Sequence, residues 1–315
     1  MPWKALPEGS KLKVSFDCLG LGIAPIDILY QIGAFPKPGS KIDALDITIQ
    51  GGGPIPTAMV TLSRLGMKAA LLAAVGGDLF GQFVIDQLRR EKVDTSHIII
   101  KKKPTAVACG WFEKGSGRRT IALNLKIKIS PGDINLARLP HMKMIHLDGR
   151  DLNACMKLAR YAKKIKIPVV FDIGSIRNDV SPIFPLVDHL VCSSDYALPF
   201  TQTKTILDSI SRLRRLCPGT IVVTAGIDGS IGYSRHDGLA FARAYKVKTV
   251  DTTGAGDVYH GAYIYGLLKN WPLEKRMQFA SAAAALKCTR PGGRLGIPDL
   301  KQVKKFMGGR RTLYA

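Results

Sequence analysis

Asp251, Gly254, Gly256 and Asp257 fall within one seven-residue run, Asp-Thr-Thr-Gly-Ala-Gly-Asp, that combines two kinds of chemistry. Glycines let backbone N–H groups approach a ligand closely, because no side chain stands in the way. The residues that follow, Val258 to Leu268, read as a helix, with Ala255, Val258, Ala262 and Gly266 recurring on one small face. A helix N-terminus carries unpaired N–H donors and partial positive charge. Gly254, Ala255 and Gly256 therefore make an anion site of the kind that takes phosphate. Asp257 adjoins it, where a carboxylate can take the proton of an attacking hydroxyl. A glycine turn with a capping Asp accounts for part of the run, but not for glycines, carboxylate and helix pattern coinciding.

Three further places carry candidate ligand groups. A first strand over Lys11–Cys18 is broken by Gly20, Gly22 and Pro25, and Asp27 follows. Open α/β sheets bind ligands just beyond the carboxyl ends of their strands, so Asp27 is a candidate there, or else a turn cap. Gly51, Gly52 and Gly53 precede a helix started by Pro54 and Pro56, and Gly52 and Gly53 invite close contact with a polar ligand. Asp148-Gly149-Arg150 stands past the strand at 143–147. Arg150 is placed to grip a phosphate, sulfonate or carboxylate in bidentate fashion, or to pair with Asp151 on the surface.

The elements that must position these groups alternate. Strands are expected at 68–75, 143–147, 167–171, 188–192 and 220–224, and helices at 54–65, 152–164, 203–216 and 276–288. That alternation predicts a parallel sheet with right-handed crossovers. Residues 105–112 and 118–125 read as a hairpin around Lys114-Gly115-Ser116-Gly117, and 36–50 as an extended segment. On the second hairpin strand Ile121, Leu123 and Leu125 share one face, which leaves Asn124 on the other as a substrate ligand or a solvent-facing amide. A second hairpin is expected around Asp237-Gly238.

The chain has 315 residues, 46% of them apolar, enough for one large α/β domain. No run of about 20 apolar residues predicts a membrane span, and the N-terminus lacks a signal-peptide core. The six cysteines are scattered without a Cys-x-x-Cys pair, which argues against a zinc site or disulfide framework and fits a reducing cytoplasm. The net charge of +22 is compatible with nucleic-acid binding, with attraction of anionic substrates, or with solubility. The basic runs lack the interleaved aromatics of a nucleic-acid platform, so no nucleic-acid partner is expected.

The 251–257 run resembles the second signature of the PfkB (ribokinase-like) carbohydrate kinases, Asp-Thr-x-Gly-Ala-Gly-Asp, at every position. Gly-x-Asp-x-x-Gly at 76–81 resembles the first, where Asp78 is read as a capping residue. The resemblance spans about residues 11–305. It implies a three-layer αβα fold with a central, mainly parallel sheet and a small β lid. The lid segments would be 36–50 and 105–126, inserted in a single kinase domain over 1–307, with 308–315 a frayed basic tail. It implies an ATP-dependent sugar kinase working with Mg2+, Asp257 as base and Gly254, Ala255 and Gly256 as anion hole. It places Asp27, Gly52 and Gly53 against the sugar, and Thr224, Gly226 and Gly229 beside the nucleotide. It further implies a monovalent cation such as K+ held with Asp251 and the 289–294 loop, and dimerisation through the lid.

Within the family, the runs 251–261 and 284–294 and Gly51-Gly52-Gly53-Pro54 look like those of sulfofructose kinases. There a Lys, a lid Asn and an Arg engage the anionic sugar, and Lys41, Asn124 and Arg150 occupy those places. Two departures stand out. Pro56 replaces an Asn past the paired glycines, and Ser194 and Ala197 replace an Asn-x-x-Glu that positions magnesium through water. The expected substrate is an anionic ketose such as 6-deoxy-6-sulfofructose. A neutral-sugar or nucleoside kinase of the same fold, and a noncatalytic nucleic-acid binder, are the alternatives.

Overall fold

Strands buried on both faces read as unbroken apolar runs, and the run at 69–75, Ala-Ala-Leu-Leu-Ala-Ala-Val, is buried at every position. The computed structural model describes residues 16–115, 118–175 and 178–309. In chain order come β1 (Phe16–Leu21), β2 (Ile26–Ile32), β3 (Asp46–Gly51), α1 (Pro54–Arg64), β4 (Ala69–Gly76), α2 (Leu79–Arg90) and β5 (Ile98–Lys101). Then follow β6 (Val107–Glu113), β7 (Arg119–Asn124), β8 (Met142–Leu147), α3 (Leu152–Ile165), β9 (Val169–Ile173), β10 (His189–Ser193), α4 (Ser194–Thr201) and α5 (Ile206–Leu216). The last are β11 (Thr220–Thr224), β12 (Ser230–Ser234), β13 (Gly238–Ala242), α6 (Ala255–Leu268), α7 (Leu273–Lys287) and α8 (Leu300–Gly309).

The central sheet has nine strands in the order β13-β12-β11-β10-β9-β8-β1-β4-β5. It is parallel except for the β12–β13 hairpin at one edge. Alternate residues feed two cores. Leu71, Val170, Val191 and Val222 pack under α1, α2, α6, α7 and α8. Leu72, Phe171, Leu190 and Val223 pack under α3, α4 and α5. The parallel sheet expected from the alternation and the three layers that the resemblance implies are thus present. Among the described residues no helix is long and apolar enough to cross a membrane.

A second sheet, β3-β2-β6-β7, is made from segments inserted after β1 and after β5. Its register sets out two faces. Gln50, Asp27, Ala108 and Leu123 form one row, and Asp46, Gln31, Phe112 and Arg119 another on the same side. The alternate rows, Ile49-Ile28-Cys109-Ala122 and Ile47-Tyr30-Trp111-Thr120, form the opposite face.

Several expectations need correction. Asp27 does not sit in a loop but inside β2, a lid strand, because Pro25 redirects the chain out of the central sheet rather than ending regular structure. Only Asp46–Gly51 of the 36–50 segment is strand. The 203–216 helix begins at Ile206, and a separate helix, α4, precedes it. Thr205 accounts for the start, since its side chain accepts the Asp208 N–H as an N-cap. Helix α6 shows more than one small apolar face. Val258 through Gly266 are all buried, because α1 and α7 flank it. Residues 11–15, Ser116, Gly117 and 310–315 lie outside the described residues, while Gly308 and Gly309 end α8.

Candidate active site

Gly254 is the N-cap of α6 with φ +75°, a left-handed conformation that glycine adopts without strain. The backbone therefore turns sharply into the helix: the Ala255 N–H donates back to the Thr252 carbonyl (3.1 Å), and the next amides, of Gly256 and Asp257, have no intrahelical acceptor. The Asp251 carboxylate holds this turn in place. Its Oδ1 accepts the Thr253 N–H (2.8 Å) and its Oδ2 the Gly292 N–H (2.8 Å). The 289–294 loop is thereby tied to the motif.

Asp257 lies in the first turn of α6 and is half-buried. Burial pushes its carboxyl above the ordinary range, while His260, Arg119, Lys287 and Arg294 oppose that rise. His260, one turn on, is almost fully buried. It directs Nδ1 to the Gly256 carbonyl (2.6 Å) and Nε2 to the Val191 carbonyl (3.1 Å) and Asp172 Oδ1 (3.3 Å). The anion-hole peptide is thus pinned to β9 and β10. Burial raises Asp172 to about 6 and lowers His146, stacked on His260 at 5.7 Å, to about 3.

Asp27 approaches from the lid. Burial raises it to about 6, Arg294 and the Gln50 side chain counter that, and the charge of Asp257 adds to it, so the two carboxylates sense one another. Gly52 lies directly against the Asp27 carboxylate, and Gly53 (φ +90°) caps α1. Beneath them Arg294 is 4% exposed. It donates through Nη2 to the Gly52 carbonyl (2.8 Å) and through its backbone N–H to Gln50 Oε1 (3.3 Å). Burial lowers its pKa to about 10.

Arg150 follows β8, the neighbour of β1, and its backbone N–H donates to Asp148 Oδ1 (3.0 Å). Its Nε is buried with no hydrogen-bond partner among the described residues, and the same holds for Arg294 Nη1. Thr224, Gly226 and Gly229 line a cavity of about 230 Å3 together with Ala255, Gly256 and Tyr259. Ala284, Ala285 and Cys288 of the α7 end form another wall of this largely apolar space, which opens onto the anion hole.

Two expected ligands are placed less directly. Lys41 lies in the exposed connection between β2 and β3. Asn124 shares a row with Val107, Ile26 and Gly51, so it projects from the lid face opposite Asp27. Ser194 and Ala197 fall at the start of α4, with Ala197 fully buried and Asp195 exposed, and no cluster of three metal-ligating side chains occurs among the described residues. At Asp251, where the sequence predicted a monovalent cation, each oxygen already accepts a hydrogen. Both carboxylate oxygens accept amide hydrogens, and its main-chain oxygen accepts the Lys287 ammonium (2.8 Å).

Sequence reasoning assigned no role to Arg294, Arg119, Gln50, Lys287, Asp172 or His260. Arg119 reaches from the Asp27 face of the lid to Thr253 Oγ1 (3.3 Å). The available signals were weak: a Lys inside the alanine-rich helix, an Arg closing a Gly-Gly loop, a His one turn past the carboxylate.

A glycine-capped helix N-terminus, a carboxylate in its first turn and an apolar cavity beside them are the groups that a nucleotide-dependent phosphotransferase needs. The chain matches the model of the pfkB family carbohydrate kinases over residues 18–300 and belongs to that family. It is thus an ATP-dependent sugar kinase, a phosphotransferase with an alcohol group as acceptor. It is similar to the 5-dehydro-2-deoxygluconokinase of Bacillus subtilis, 23% identical over 93% of this chain and 96% of that one. The Clostridium perfringens enzyme of the same name is 27% identical over 96% of both chains. Among solved structures, the Thermotoga maritima ribokinase shares the fold with a TM-score of 0.80 at 23% identity, over 93% and 99% of the two chains. A ribokinase-II-like protein of Escherichia coli, solved with ATP and Mg2+, does so with a TM-score of 0.82 at 22% identity, over 93% and 99%.

Proposed function

We propose that this kinase phosphorylates an anionic keto sugar. The observation that carries the reading is a pair of guanidinium groups, the buried Arg294 and the half-buried Arg150, each with one buried N–H lacking an acceptor among the described residues. Buried donors without acceptors are costly, and an anionic, oxygen-rich ligand would relieve that cost. The relatives' name supports it too, since 5-dehydro-2-deoxygluconate is a sugar acid. The motif runs at 251–261 and 284–294 point to 6-deoxy-6-sulfofructose, an anion of similar size.

In the proposed reaction Asp27 and the Gly52–Gly53 turn hold sugar hydroxyls, with Arg150 and Lys41 addressing the anionic group. Asp257 takes the proton of the attacking hydroxyl as it approaches the γ-phosphorus of ATP. The amides of Gly254 and Gly256 stabilise the charge on the transferring group, while that of Ala255 closes the turn onto the Thr252 carbonyl. Adenosine occupies the cavity bordered by Thr224, Gly226 and Gly229. Mg2+ travels on the ATP phosphates, a mode that needs few protein ligands. Asn124, on the far face of the lid, projects away from this site and is left without a role in it. The exposed apolar residues of that face, Ile47, Ile49 and Trp111, support a homodimer formed through the lid.

ADP release with Mg-ATP tests this across 5-dehydro-2-deoxygluconate, 6-deoxy-6-sulfofructose, fructose 6-phosphate, fructose, ribose and adenosine. An anionic keto sugar is expected to lead, and Arg150→Ala to raise its KM at least about tenfold. Preference for fructose, ribose or adenosine would overturn the substrate reading and leave the kinase standing.

A further inference from the structure

Lys287 is wholly buried in the last turn of α7, at 0% exposure. An ammonium removed from water is costly unless oxygens surround it. Its Nζ donates to the main-chain oxygen of Asp251 at 2.8 Å. Burial pushes the Lys287 pKa down, with Arg119 adding to the fall, while Asp251, Cys288 and Asp257 hold it up. The Asp251 carboxylate in turn clasps the N–H groups of Thr253 and Gly292. Gly254 then packs so tightly on the loop that a Cβ there would stand 2.8 Å from the Gly293 carbonyl oxygen. One buried positive charge therefore joins the end of α7, the 289–294 loop and the turn that forms the anion hole.

We infer that Lys287 is a built-in monovalent cation. Its ammonium supplies the charge and the backbone ordering that a bound K+ would supply at Asp251, and phosphoryl transfer by this chain needs no K+. Lys287 acts as a positioning residue, since it touches Asp251 rather than the reacting atoms. The kinetic part of this inference rests on the proposed kinase reaction, and the binding part stands apart from it.

The binding part is read from melting temperatures of the wild-type protein in KCl and in tetramethylammonium chloride at equal ionic strength. A specific site stabilises the folded chain when filled. Equal values are expected, and a K+-specific rise of several degrees would overturn the inference. In the kinetic part, wild-type turnover should change less than about twofold between the two salts, and activation by K+ of about tenfold or more would overturn it. Lys287→Met keeps the length and removes the charge. Turnover is expected to fall about a hundredfold in tetramethylammonium and to recover in part with K+ or NH4+, which a merely structural defect would not do. A Lys287→Met protein fully active in tetramethylammonium would sink the proposal. Should that variant fail to fold, the two wild-type comparisons still decide. A wild-type protein inactive on every sugar, yet melting alike in both salts, would refute the kinase assignment and leave the cation inference supported.

Discussion

The Asp27 carboxylate occupies the space that a side chain at position 52 would need. An ideal Cβ built on Gly52 would fall upon that carboxylate, well inside any real contact. Position 52 thus has to be glycine for Asp27 to stand where it does. Gly52→Ala should displace Asp27 by an ångström or so and lower kcat/KM for the sugar about a hundredfold. Steady-state kinetics on the folded variant would check this; unchanged kinetics would mean that Asp27 does not hold the substrate.

Asp257 is the one carboxylate at the N-terminus of α6. Asp257→Asn keeps the shape but removes the proposed base. Turnover should fall by about 10²–10⁴ while nucleotide affinity stays within a fewfold. Calorimetric ATP titration beside the kinetics separates the two, and near-normal turnover would rule out its role as base.

Burial raises Asp27 to about 6. In its proposed role as acceptor of sugar hydroxyl protons it works best ionised, so the sugar KM should climb as pH falls below about 6. Asp27→Asn should have a high KM that no longer changes over that range. The sign for stability is opposite. A carboxyl raised in the folded state favours folding at low pH and loses that contribution as pH rises through about 6. The melting temperature of Asp27→Asn relative to wild type should therefore improve with rising pH in the absence of sugar. A constant difference would contradict the raised value.

Arg294 joins Gly52, Gln50 and the 289–294 loop through buried hydrogen bonds. Arg294→Met leaves the Gly52 carbonyl without this donor and Asp27 without its nearest positive charge. Urea unfolding should show a loss of about 3 kcal/mol, together with a weaker sugar affinity. A loss below about 1 kcal/mol would indicate that the buried guanidinium costs nearly as much as it contributes.

Trp111 is 38% exposed at the centre of the apolar lid face, between Tyr30 and Thr120 in its row. Trp111→Glu should convert a dimer to a monomer in sedimentation velocity, at unchanged helix content. A monomeric wild-type protein would remove the basis for lid dimerisation.

The candidate phosphate site was legible in the chain because it is local. Gly254, Gly256 and Asp257 are three residues apart at most, and a helix start places them together whatever else the chain does. The parallel sheet was legible for a similar reason, since apolar runs such as 69–75 alternate with amphipathic helices along the sequence. Strand β2 escaped notice, for its polar residues Asp27 and Gln31 break the apolar pattern on one face of the lid. What only the tertiary structure decided is the company each group keeps. Arg294 meets Gly52 across 242 positions of chain, and Lys287 meets Asp251 across 36. A charge in a sequence reads as surface by default, because burying one is unfavourable in isolation. Only the folded chain, by bringing carbonyl and carboxylate oxygens to those two cations, makes their burial tolerable and turns them into parts of the site.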